Sequence, residues 1–146
     1  MTTAHPNFDH MIQEGNIWLN SVAEHLHLED RRHAYQALLA ALHALRDRLT
    51  PEQAVHLSAQ FPVLIRGLFF GGWKLAGKPL RDRSIEDFCS HIEKELPPNF
   101  PRDAKSIAKG VFEVLFEQLD PGEVAKIIDE MPVPLRQLWP QIARVS

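Results

Sequence analysis

The sequence predicts an all-α fold, a helical bundle of two tandem, structurally equivalent units of about four helices each, related by approximate twofold symmetry. Three observations predict it. Apolar residues recur at helical spacing along most of the chain. Prolines flanked by capping residues mark helix starts. The chain also matches itself at one constant offset of 70 residues (51 to 121, 62 to 132, 66 to 136).

In the first unit, Phe8, Met11, Ile12, Trp18, Leu19, Val22 and Leu26 form one stripe, predicting a helix over about Asn7 to His27. Asp30 caps a second helix whose inner face is Ala34, Leu38, Ala41, Leu42, Leu45 and Leu49. Thr50-Pro51-Glu52-Gln53 reads as a cap, a first-turn proline and a glutamine that reaches back, starting a third helix to about Gln60. Pro62 opens a fourth through Val63, Leu64, Ile65, Leu68 and Phe69, and Gly71 and Gly72 release the chain.

The second unit repeats the plan. Ser84 with Asp87 caps a helix carrying Phe88, Ile92 and Leu96, and Pro97, Pro98 and Pro101 interrupt it. A longer helix over about Asp103 to Leu119 turns Ile107, Val111, Val114, Leu115 and Leu119 inward. Asp120-Pro121-Gly122-Glu123 is expected to reproduce the cap, the proline and the reach-back. The last helix is expected to start at Pro132 and to carry Leu135, Leu138 and Trp139. This gives a single domain over 1–146, with unit one at 7–70, a connector at 71–83 and unit two at 84–140.

The self-match aligns Leu26 with Leu96, Arg32 with Arg102, Ala34 with Ala104, Leu45 with Leu115 and Leu49 with Leu119. It also aligns Val63 with Val133, Arg66 with Arg136 and Leu68 with Leu138, without a gap. These are mostly core or boundary positions, where packing and capping restrict the choice of residue. Either unit alone would leave an apolar face in water, so the two are expected to pack on each other.

Composition narrows the function classes. The chain has 146 residues, with 16 Lys+Arg against 19 Asp+Glu and a net charge of -3. That balance offers no broad field for DNA or RNA, so no nucleic-acid partner is expected. The longest uncharged apolar stretch, about His33 to Leu45, is too short for a membrane span. The start MTTAHPNFDH lacks a basic, then apolar, export signal, and the one cysteine, Cys89, fits a reducing compartment. A cytoplasmic protein is expected. Charge is uneven: residues 1 to 30 hold five acids and no Lys or Arg, whereas the connector holds Lys74, Lys78, Arg81 and Arg83 against Asp82.

The run AYQALLAALHALRDRLTPEQAVHLSAQFPVLIRGLFFGGW, followed by GVFEVLFEQLDPGEVAKIIDEMPVPLRQLW, resembles the family called domain of unknown function 2267. The resemblance spans about residues 15 to 140 and rests on Leu-Arg-Asp-Arg-Leu, the proline-led helix starts and the Arg-x-Leu-aromatic endings. It implies a duplicated helical fold in a cytoplasmic bacterial protein. It carries no activity, substrate or catalytic residue with it.

Among polar positions, Arg66 and Arg136 stand out because they recur on otherwise apolar helices. Guanidinium forks suit an anionic ligand. The structural reading pairs each with the acid of its own unit, Asp47 or Glu117, or with carbonyls at a helix end. Trp73, beside Lys74, is a candidate stacking residue; the plainer reading folds it back over the seam between units. His43 and Asp47 have helical i, i+4 spacing, and His56 could join them, but unit two has no equivalent histidine and no metal is expected. Cys89 aligns with Leu19, which points to a packing role. No catalytic residue and no cofactor is predicted.

The function expected is therefore a non-enzymatic protein-interaction or self-association module. The alternative is a small-molecule domain that binds or senses an anionic ligand in a pocket between the units, with Arg66 and Arg136 at its rim.

Overall fold

The computed structural model describes residues 5–144, so both ends of the expected 1–146 domain lie outside it. Those residues form helices and connecting turns, with no strand among them. In unit one these are α1 (Pro6–Leu26), α2 (Arg31–Arg48), α3 (Pro51–Ser58) and α4 (Val63–Phe70). In unit two they are α5 (Ile85–Glu95), α6 (Ala104–Gln118), α7 (Pro121–Asp129), α8 (Val133–Arg136) and α9 (Gln141–Arg144).

The two most buried helices, α2 and α6, touch at the centre, and α1 and α5 each pack against both. The short helices close the ends: α4 lies on α1 and α2, α8 on α5, and α7 on α6. The alanine-rich face of α2 explains its central place. Ala34, Ala37, Ala40, Ala41 and Ala44 are buried together with Leu38, Leu42 and Leu45, and small side chains let neighbouring helices approach closely. Opposite them, α6 buries Ile107, Ala108, Val111, Phe112, Val114 and Leu115. One apolar core runs through both units. Each fully buried Leu, Ile or Phe in it contributes about 1.5–3 kcal/mol over an exposed one.

The helix starts follow the local chemistry. Asp30, Thr50, Ser84, Asp103 and Asp120 each accept a backbone N–H in the first turn that follows. At α3 the capping box is complete: Gln53 N–H donates to Thr50 Oγ1 at 3.1 Å, and Thr50 N–H donates to Gln53 Oε1 at 2.9 Å. At α1 the chain leaves through His27 in the left-handed region (φ 54°), with Leu28 N–H donating to Ala23 O at 2.9 Å.

Two expectations need correction. The reach-back from Glu123 at α7 does not form. Asp120 N–H instead donates to Gln60 Oε1 of unit one at 3.0 Å, which frees the Glu123 carboxylate for His56 and Lys126. The last predicted helix is also shorter than expected. The α-helix ends at Arg136, and the chain continues through Leu138 and Trp139 in i→i−3 turns. Pro140 accounts for the early end, because a proline disfavours helical backbone in the residue before it. Phe70 stands at the matching place in unit one, and there α4 continues.

Candidate functional site

Arg66 and Arg136 occupy matching positions and do matching work. Arg66 Nε donates to Ser58 O at 3.0 Å, and its Nη2 to Phe61 O at 3.0 Å and Ala59 O at 3.4 Å. Arg136 Nε donates to Met131 O at 2.9 Å, and its Nη2 to Asp129 O at 2.9 Å. Each guanidinium thus satisfies carbonyls at the end of α3 or α7, groups that have no partner within their own helix. The acids of their own units are engaged elsewhere. Asp47 pairs with Arg46 at 2.8 Å, and Glu117 lies 2.7 Å from His25.

Trp73 packs its ring on Phe70, 5.0 Å between centroids, and sits half-buried against the core. Its indole Nε1 is buried without a hydrogen-bond partner. The three residues weighed as metal ligands do not converge. His43 Nδ1 lies 2.8 Å from Glu95 and its Nε2–H donates to Leu68 O at 2.8 Å, while His56 faces Glu123 at 2.8 Å. Among the described residues no group of three or more His, Cys, Asp or Glu could hold a metal ion. Cys89 is buried, and burial above all, with the negative charges of Glu93 and Asp103 adding to it, pushes its thiol above the ordinary range.

A cleft of about 380 Å³ does lie between the units, where α3 faces α7. Leu57 and Ile127 contribute its apolar surface, and Glu52, Gln53, His56, Glu123, Lys126 and Glu130 its polar one. Arg66 and Arg136 are not in its lining. Gln53 hydrogen-bonds to Glu130, and Glu123 bridges His56 and Lys126. The bond from His56 first, and then that from Lys126, holds the Glu123 carboxyl below its ordinary value. Three glutamates against one lysine make this cleft poorly suited to an anion.

A second hollow, of about 610 Å³, lies where the connector folds against the end of α2, lined by Arg48, Gly77, Lys78, Pro79, Leu80, Arg81 and Arg83. Two bonds pin the connector there: Leu80 N–H donates to Asp47 O at 2.7 Å, and Arg48 Nε donates to Asp82 O at 2.7 Å. Sequence reasoning groups Lys78, Arg81 and Arg83 as a basic connector but misses Arg48, which joins them only through the fold.

Arg46 is a structural residue whose burial and carbonyl partners sequence reasoning misses. It is buried, 4% exposed, and donates to Phe69 O at 3.1 Å and Gly71 O at 2.7 Å at the end of α4. The repeat register holds the signal, since its counterpart is the apolar Phe116.

These features define an all-helical domain in which Arg66 and Arg136 serve its own helix ends. The chain belongs to the family of uncharacterised conserved proteins DUF2267, whose model matches residues 15–138. No curated protein matches it.

Proposed function

We propose that this domain is a non-enzymatic interaction module of the bacterial cytoplasm, docking a protein partner or a second copy of itself through the outer face of α1 and α4. The observation that carries the reading is an uncovered apolar stripe. Phe8 and Ile12, 58% and 48% exposed, share one face of α1 with Gly15. Leu64 of α4, 42% exposed, continues it, its Cδ1 lying 3.2 Å from where a Cβ on Gly15 would be. The first part of α1 has no counterpart in unit two, because α5 begins at Ile85, which aligns with Gly15. Apolar side chains added beyond the repeat and left in water favour docking by about 25 cal/mol for each Å² covered. Asp9 and Glu14 on the same helix favour a partner with a basic rim.

The test pairs light scattering with a pull-down, comparing the native protein with Phe8→Glu/Ile12→Glu, whose sites are exposed and whose fold is retained. Association or capture by the native chain alone is the expected result. A native protein that stays monomeric and retrieves nothing, or a variant that behaves identically, overturns the reading. The alternative of an anion held between the units by Arg66 and Arg136 draws no support from the geometry, since both guanidinium groups serve helix ends.

A further inference from the structure

The connector hollow is the one concave surface among those described whose charged lining is entirely cationic. Arg48, Lys78, Arg81 and Arg83 all contribute to it. The nearby carboxylates are occupied: Asp82 lies 2.9 Å from His91, and Asp47 holds Arg46. The side chains of Lys78, Arg81 and Arg83 have no hydrogen-bond or ion-pair partner among the described residues, and the Arg48 guanidinium has only the bond from its Nε.

Four cations thus line one hollow in a chain with a net charge of -3. Burial lowers the Arg48 guanidinium below its ordinary value, and although Asp82 offsets part of the fall, the positive charge of Arg83 adds to it. An anion in the hollow would favour the charged form of each of these side chains. The site is also built. The two bonds between α2 and the connector fix its wall, and Gly77, at φ 75° with no atom within 4 Å of where a Cβ would stand, leaves its floor open.

We propose that this hollow binds a small soluble ligand carrying two or more phosphate groups. Several cations around one hollow match several negative charges on a short frame, and guanidinium forks bind phosphate oxygens in pairs. The hollow's volume falls in the range of small-molecule sites. An extended nucleic acid would have to run on past it across an acidic protein. A flat membrane would not reach into the concavity.

Isothermal titration of the full chain with sodium tripolyphosphate tests the proposal, run beside citrate, a single-stranded oligonucleotide and vesicles containing phosphatidylserine. The comparison variant is Arg81→Ala/Arg83→Ala, because both side chains are exposed and make no internal bond, so its melting curve stays that of the native protein. The expected result is saturable tripolyphosphate binding that weakens about tenfold or more in the variant and falls as salt rises. Absence of binding by the native chain overturns the proposal. So does binding that the variant leaves unchanged, equal binding of citrate, or a preference for the oligonucleotide or the vesicles.

Discussion

Leu26 of α1 lies flat against the bare backbone of Gly110 in α6. A Cβ at position 110 would stand 2.5 Å from Leu26 Cδ2 and 2.9 Å from its Cγ. Leu26 is 3% exposed and packed within the apolar core. Gly110→Ala is therefore expected to destabilise the protein by about 1–2 kcal/mol, overpacking outweighing the better helix propensity of alanine. Gly67 in α4 is the control. Nothing lies within 4 Å of a Cβ there, and Gly67→Ala is expected to stabilise by about 0.5–1 kcal/mol. Urea unfolding of the two variants checks the opposite signs.

Arg46 and Arg66 both satisfy helix-end carbonyls, but only Arg46 does so inside the core. Arg46→Met strands the carbonyls of Phe69 and Gly71 and leaves Asp47 without its cation, at a cost of about 2–4 kcal/mol. Arg66→Met, at a more exposed place where water can replace the guanidinium, costs about 1 kcal/mol. Denaturation midpoints that place Arg66→Met as the more damaging change would refute this account.

Asp103 caps α6 and accepts from the Ser106 hydroxyl at 2.6 Å and from its N–H at 3.2 Å. The Ser106 hydroxyl bond chiefly, and the backbone bond after it, hold the carboxyl below its ordinary value. A carboxyl depressed on folding stabilises the protein fully above its unfolded pKa, and that stabilisation disappears as pH falls through the folded value. Asp103→Ala is expected to cost about 1 kcal/mol at neutral pH, with the difference from native shrinking below about pH 4. Asp103→Asn keeps a cap and removes this pH dependence. Thermal melts from neutral to acid pH follow both.

Cys89 is buried with its thiol pushed up, so thiolate is scarce at neutral pH. Native protein is expected to react with iodoacetamide at least about tenfold more slowly than urea-unfolded protein. Equal rates would show that the α5 surface opens readily.

The parts of the fold that are legible from the chain are those fixed by neighbours in sequence. The Thr50–Gln53 box, the caps at Asp30 and Ser84, and the inward stripes of α2 and α6 all depend on residues within one or two turns. What escapes depends on residues brought from far away. Gln60 replaces the expected reach-back at Asp120 from 60 residues upstream, and no local pattern signals it. Arg48 joins the connector cations only because α2 ends beside Leu80 and Asp82. Arg66 and Arg136 are recognisable as a pair, but choosing between acid and carbonyl partners requires knowing that Asp47 and Glu117 are already taken.

Three histidine–glutamate contacts join the units, and in each the histidine belongs to the first unit and the glutamate to the second: His25 with Glu117, His43 with Glu95, His56 with Glu123. A copy of the first unit in the second's place would present Asp47, His25 and Gln53 at those sites, by the same 70-residue register (117 to 47, 95 to 25, 123 to 53). Only one of the three would still be an acid. In this register the two halves are thus complementary and not interchangeable, since a second copy of the first would not supply the polar match that the second does.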